Sequence, residues 1–349
     1  MDNREKLIQL ERSNLPFCAF ALPDSSDVVV MVQGDEDFES EKPEGMVMAP
    51  YEESEDCPTI YIRPDFLGTM DELNLSQFDY VHFEDSGYLV ENMQPAWREG
   101  YLDTCEQLID RLQAGEAEKV VLSVMDPRPY NAIYTDLFLK AVKDYPKAFV
   151  YLLHAPGTFT GMGASPEVLL ERQGAQCRTM SLAGTKKKEG EEWTVKEREE
   201  QEIVTRYILE QLDQGQVSDL QYSEPYDEEA GPLVHLRSDI LFQTERSDRE
   251  ILDLLHPTPA VCGQPLEAAK RLISELEEHD RRYYTGYIGF AGAQVSRYFV
   301  NLRCMEKKDY YAICYAGGGV TSSSDPVDEW QEVINKLEVM GRFIPTYHD

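Results

Sequence analysis

The chain has 349 residues, 42% hydrophobic and 10% aromatic, enough apolar material for a sizeable core in one large domain or two ordinary ones. Its 33 Lys and Arg against 65 Asp and Glu give a formal charge of −32. That charge argues against nucleic-acid phosphates or an anionic membrane as partners, and it demands a local countercharge for any anionic ligand.

Seven cysteines without a CxxC pair disfavour zinc ribbons and disulfide frameworks and suit a reducing, cytoplasmic setting. The N-terminal MDNREKLIQLERSNLP lacks the apolar stretch of a secretory signal, and no run approaches the ~18 apolar residues of a membrane helix. In chain order, FCAFAL, DVVVMVQG and TIYIRP read as short strands, and EDFESEKPEGMVMAPYEESEDCP reads as a surface excursion. From about residue 95 the texture changes. WREGYLDTCEQLIDRLQAG has helical periodicity, EKVVLSV follows as a strand, YTDLFLKAVKDYP is a helix and AFVYLLHAP a strand. GASPEVLLER and CRTMSLAGT continue as strands, while KEREEQEIVTRYILEQL and PLEAAKRLISELEEH are helices. Strands GYIGFAG, SRYFVNLRCM and YYAICYAGGG precede a last helix, DPVDEWQEVINK, which Asp325 caps with Pro326 at its first position. Helices interleaved with many strands, some consecutive, predict an α+β fold with large mixed or antiparallel sheets. We expect a single domain over 1–349, with 1–94 a reduced acidic part and 95–345 the core.

In the last helix Glu329, Glu332 and Lys336 share one face beside the stripe Trp330, Val333, Ile334, Leu337 and Met340. In KEREEQEIVTRYI, Glu200 falls on the apolar line of Ile203, Val204, Tyr207 and Ile208. An acidic first turn favoured by the helix dipole is the plain explanation. Two carboxylate helices bordering a core are also an arrangement that holds Mg2+, a hard ion bound by few carboxylates plus waters and substrate oxygens. Lys119 opens a strand, as a solvated residue or, if buried, as a base of lowered pKa. Glu167, after Pro166, is either an exposed turn residue or a carboxyl of raised pKa serving as general acid. GMGASPE fails the GxGxxG spacing and leads into a strand, so it is no nucleotide loop. AGGGV, at 316–320, is a tight turn or a set of N–H groups for an anion. Arg303, between apolar neighbours in a strand run, suits bidentate carboxylate binding. TKKKEG reads as a solvated loop, and the histidines form no HxxxH pair for zinc.

The blocks KVVLS, GASPEVLL, LAGT, KEREEQEIV, LVHL, HPTPAVCG, YYTGYIGF, NLR, AGGGV and DEWQEVINK stand in this order between residues 95 and 345. Together they resemble the chorismate-utilising enzymes: isochorismate, salicylate, anthranilate and aminodeoxychorismate synthases. Lys119 and the HPTPAVCG block with Ala260 are most similar to the isochorismate type. The resemblance implies Mg2+-dependent isomerisation of chorismate, with Lys119 activating the water added at C2 and Glu167 protonating the departing C4 hydroxyl. It implies Glu200 and Glu332 as metal ligands, with Glu329 in support, and Arg303 and Tyr284 on the enolpyruvyl carboxylate. Gly317, Gly318 and Gly319 would offer N–H groups and Lys336 a charge near the metal; Gly184, Thr185 and His235 would line the pocket. The family is often monomeric, and its product serves menaquinone or siderophore synthesis. A salicylate synthase, or a silent relative acting as a binding partner, is the alternative. Val124 stands where the family usually has Arg, and the connector after LAGT is shorter than usual.

Overall fold

Several strands are buried at every position rather than at alternate ones: Phe17–Ala21, Gly45–Ala49 and Phe149–Ala155. Such runs belong where both faces of a sheet are covered. The computed structural model describes residues 1–38, 40–41, 44–82, 98–130, 133–187, 192–230 and 233–344.

Its elements begin with α1 (Asn3–Glu11), β1 (Phe17–Ala21), β2 (Val29–Val32), β3 (Gly45–Ala49), β4 (Ile60–Ile62), β5 (Phe66–Thr69), α2 (Arg98–Gln113) and β6 (Lys119–Pro129). They continue with α3 (Thr135–Asp144), β7 (Phe149–Ala155), β8 (Phe159–Ser165), β9 (Val168–Gln173), β10 (Gln176–Lys187), α4 (Val195–Gln214), β11 (Ser218–Tyr222), β12 (Tyr226–Ala230) and β13 (Leu233–Gln243). The last are α5 (Asp248–Leu255), β14 (Gly263–Gln264), α6 (Leu266–Leu276), β15 (Tyr287–Ala291), β16 (Val295–Val300), β17 (Cys304–Lys308), β18 (Tyr311–Thr321) and α7 (Pro326–Gly341).

Two sheets result, ordered β14-β6-β18-β17-β8-β7-β1-β2-β5 and β11-β13-β10-β9-β16-β15-β3-β4, with β12 also on β13. The fold is α+β as expected, and each named strand pair is antiparallel rather than mixed, as in β6 with β18 and β10 with β13. Cys18, Phe20 and Phe149 of the first sheet meet Met46, Ile288 and Phe299 of the second, forming the core between the sheets. Outside the first sheet lie α1, α2, α3, α6 and α7, and outside the second lie α4 and α5. Alternation along β1 divides Phe17 and Ala19 from Cys18 and Phe20, so one strand feeds two cores.

Two expectations change. The supposed surface excursion contains β3, wholly buried between β15 and β4; its acidic flanks disguise a central strand. The N-terminal strands build into the same two sheets as the rest: β1, β2 and β5 extend the first and β3 and β4 the second. TKKKEG is not a loop throughout: β10 continues past Thr185 and pairs Lys186 with Val234. Residues 188–191 of the short connector lie outside the described residues.

Candidate active site

The site forms where β6 and β18 meet the N-terminal turns of α4 and α7. Asp325 caps α7 by accepting from the Val327 and Asp328 N–H groups, with Pro326 at its start. The Gly-rich run is not a turn: Gly317, Gly318 and Gly319 lie inside β18, opposite Ser123, Leu122 and Val121 of β6. Antiparallel ladders alternate their bonding edges. The Gly317 carbonyl accepts from Lys336 Nζ at 2.9 Å, while opposite it the Ser123 N–H donates to Glu277. The amide edges of Gly317 and Gly319 therefore face away from β6, and that of Gly318 faces into the ladder. Glycine is needed here for space. A Cβ on Gly319 would sit 2.2 Å from Glu200 Oε1 and 2.7 Å from Lys119 Cε. Gly319→Ala should cost roughly 1–3 kcal/mol of stability by overpacking and abolish turnover; unchanged thermal unfolding would refute this close contact.

A cavity beside these glycines is lined by Glu167, Gly184, Thr185, Glu200, His235, Ala260, Tyr284, Arg303, Gly317, Gly319 and Lys336. Gly318, Lys119, Glu329 and Glu332 are not among the lining residues, but Lys119 bonds Glu200 and Glu332 bonds Lys336, both of which line it. Lys119 has a fully buried side chain, and its Nζ lies 2.8 Å from Glu200 Oε1. Burial pushes the Glu200 carboxyl up, but the Lys119 ammonium outweighs it and holds the group below its ordinary range. Lys119 is thus not a solvated strand residue.

Glu167 sits between β8 and β9, 3% exposed, with Oε1 lacking a hydrogen-bond partner. Burial raises its pKa to about 8, even with Lys119 and Lys336 pulling it down. It is therefore a protonated acid at neutral pH. Arg303 is not in a strand: it occupies the break between β16 and β17 with φ +47. This turn directs a buried guanidinium to His235, Nη2 to Nε2 at 2.7 Å. His235 Nδ1 is 3.0 Å from the Gly184 carbonyl, which only accepts, so the ring is protonated there and Nε2 accepts from Arg303. Burial and Arg303 lower the His235 pKa to about 3, keeping it neutral. Gly184, at φ +71, lies in a bulge of β10 where a Cβ would meet Glu197 Cβ at 3.0 Å. Tyr284 stacks on Tyr315, with centroids 5.5 Å apart, and burial keeps its phenol protonated.

The three acidic helix residues are each held by a lysine: Glu200 by Lys119, Glu332 by Lys336 at 2.6 Å, and Glu329 by Lys196. Among the described residues, no three acidic, His or Cys side chains gather at metal-ligand spacing. The donor chemistry nevertheless suits Mg2+, since all three offer hard oxygens from adjoining helix starts. Glu329, 1% exposed, has an Oε2 with no hydrogen-bond partner.

Sequence reasoning missed Lys196. Its signal is a lysine in the first turn of α4, where an ammonium opposes the helix dipole. It also missed the buried pair of Glu277 and Arg281, 2.6 Å apart. Arg281 donates to the Val121 and Val261 carbonyls, tying β6 to the HPTPAVCG segment. Val124, in place of the usual Arg, packs into the helix-side core.

Two antiparallel sheets flank a cavity that brings together a buried acid, an arginine and a lysine. A family model described as chorismate binding enzyme matches residues 82–342, and the chain belongs to that family. It is 31% identical over 262 residues to the isochorismate synthase EntC of Escherichia coli K12, across 68% of this chain and 66% of that enzyme, just under two thirds of its length. To the isochorismate synthase DhbC of Bacillus subtilis it is 29% identical over 303 residues, 78% of this chain and 74% of that one. Its fold matches MenF, the menaquinone-specific isochorismate synthase of E. coli, with a TM-score of 0.80 at 20% identity, over 97% of this chain and 91% of that one.

Proposed function

We propose that the protein is an isochorismate synthase, converting chorismate to isochorismate with Mg2+. The observation that carries this reading is the Glu167 carboxyl, buried, unpartnered and protonated to about pH 8, facing a cavity that also holds Arg303 and Lys336. A general acid must hold its proton at working pH and lie where a leaving group can reach it. Glu167 meets both conditions.

In this mechanism Arg303, oriented by neutral His235, binds the enolpyruvyl carboxylate, and Tyr284 supports it. Gly317 and Gly319 present amide edges to the substrate. Lys119, in its deprotonated form, takes a proton from the water that adds at C2. Glu167 gives its proton to the oxygen leaving C4 as the ring double bonds shift, so one water enters and one departs. Glu200, Glu332 and Glu329 would hold Mg2+, which when bound holds the ring carboxylate and offsets its charge in a chain of net charge −32. The similarity to EntC and DhbC supports this reaction, and Lys119, by its resemblance to the water-activating lysine, favours it over the ammonia-using ones.

The test is incubation of the purified protein with chorismate and Mg2+, followed by product identification by chromatography and NMR. Isochorismate is expected. Salicylate with stoichiometric pyruvate would make the protein a salicylate synthase, and no turnover would overturn both readings. Arg303→Lys should raise KM about 10- to 100-fold by replacing the bidentate fork with a point charge; an unchanged KM would remove Arg303 from carboxylate binding.

A further inference from the structure

Each carboxylate at the candidate metal site is neutralised by one ammonium group, but the three ammoniums are not equivalent. Lys119 is walled in, with no exposed side-chain surface. Lys336 is tied twice, to Glu332 and to the Gly317 carbonyl. Lys196 bonds Glu329 Oε1, and its side chain is 26% exposed, so it has a path into solvent. Its partner is the opposite: the Glu329 side chain is 1% exposed, and its other oxygen, Oε2, lacks a hydrogen bond. Glu200 and Glu332 also act on the Lys196 ammonium at longer range, so it lies in the shared field of all three carboxylates.

We propose that Lys196 is a resident counter-ion of this site, standing in for the divalent cation and swinging into solvent when that cation binds. This rests on reading the three glutamates as an Mg2+ site. The physical reason is the cost of a naked carboxylate. Glu329 without a cation would be a buried unpaired charge, which folded proteins do not tolerate. A tethered ammonium covers it in the metal-free protein and yields to a doubly charged ion that several carboxylates share. A site occupied by its own lysine binds metal more weakly, in proportion to the fraction of molecules in which the lysine has already left. The location of Lys196 fits this role. It stands in the first turn of α4, where the helix dipole disfavours it unless a carboxylate compensates. When the carboxylate is taken by metal, that location favours release.

Two measurements on the full-length protein test the proposal. In the first, Mg2+ binding is followed by calorimetry, without substrate, for the wild type and Lys196→Met. The variant should bind Mg2+ about tenfold more tightly, as expected if the lysine occupies the site in roughly nine molecules of ten. In the second, lysines of the wild type are acylated with a water-soluble amine reagent and quantified by peptide mass spectrometry across an Mg2+ titration. Labelling of Lys196 should rise several-fold, with its midpoint at the calorimetric Kd, while exposed Lys143 stays constant. If Mg2+ binds the wild type but Lys196 labelling does not change, the displacement is wrong and the metal site stands. If the wild type takes up no Mg2+, the metal reading falls and the proposal with it. Should Lys196→Met fail to fold by circular dichroism, the labelling of the wild type decides alone.

Discussion

Glu167→Gln is expected to lower kcat for chorismate by about 10²–10⁴-fold, the usual range for a positioned general acid, while the protein keeps its fold. The amide preserves size and shape but has no proton to give to the C4 oxygen. Stability should not fall, because the carboxyl it replaces is buried and its Oε1 has no partner. The pH profile provides a second reading. With the Glu167 pKa raised to about 8, the acid is competent below that value, so kcat/KM should decline as pH rises through about 8. The stability sign follows from the same shift. The native state holds this proton from the ordinary 4.5 up to about 8, and the unfolded chain does not. The contribution to stability is therefore fully present below 4.5 and lost progressively as pH climbs through 8. Glu167→Gln should flatten that part of the stability curve. Steady-state kinetics and urea unfolding across pH 5 to 9 check both effects, and a variant with near wild-type turnover would remove Glu167 from the chemistry.

The site was partly legible in the sequence, and the reasons differ by residue. The Glu329 and Glu332 face of α7 could be read because the Asp325 cap and the apolar stripe fix the helix phase without tertiary information. Lys119 and Glu167 gained chemical roles only through the ordered family blocks, since their burial depends on packing between sheets. Glycine misled. Gly317, Gly318 and Gly319 have the composition of a turn, yet they lie mid-strand, and at Gly319 the reason is space, because Glu200 and Lys119 occupy the volume a Cβ would fill. Arg303 misled in the opposite direction, since apolar neighbours disguised a break with φ +47. Lys196 was hidden among the charges of KEREEQE, and only the approach of α7 to α4 gives it a partner. β3 was hidden by its acidic flanks, although Met46, Val47, Met48 and Ala49 are all buried.

Lys119→Met should abolish turnover and destabilise the fold by about 3–5 kcal/mol, the usual result of removing one partner from a buried ion pair. Methionine fills most of the lysine stem's volume, so the loss is chiefly electrostatic. The Glu200 carboxylate is left in a buried site without the ammonium that stood 2.8 Å away. Glu200→Gln alone leaves the complementary problem, a fully enclosed ammonium with its counter-ion gone. Combining the two changes removes both charges, and neutral replacements of a buried pair are often as stable as the original. The double variant should therefore recover most of the lost stability and none of the activity. Urea unfolding of the four proteins, without metal, measures the coupling directly, because residues in contact depart from additivity where distant ones do not. Additive losses would show that the two side chains do not act as a pair. Recovered stability without activity would separate the two roles of Lys119: its charge supports the folded site, and its amine serves the reaction. Near wild-type turnover in Lys119→Met would exclude it as the base.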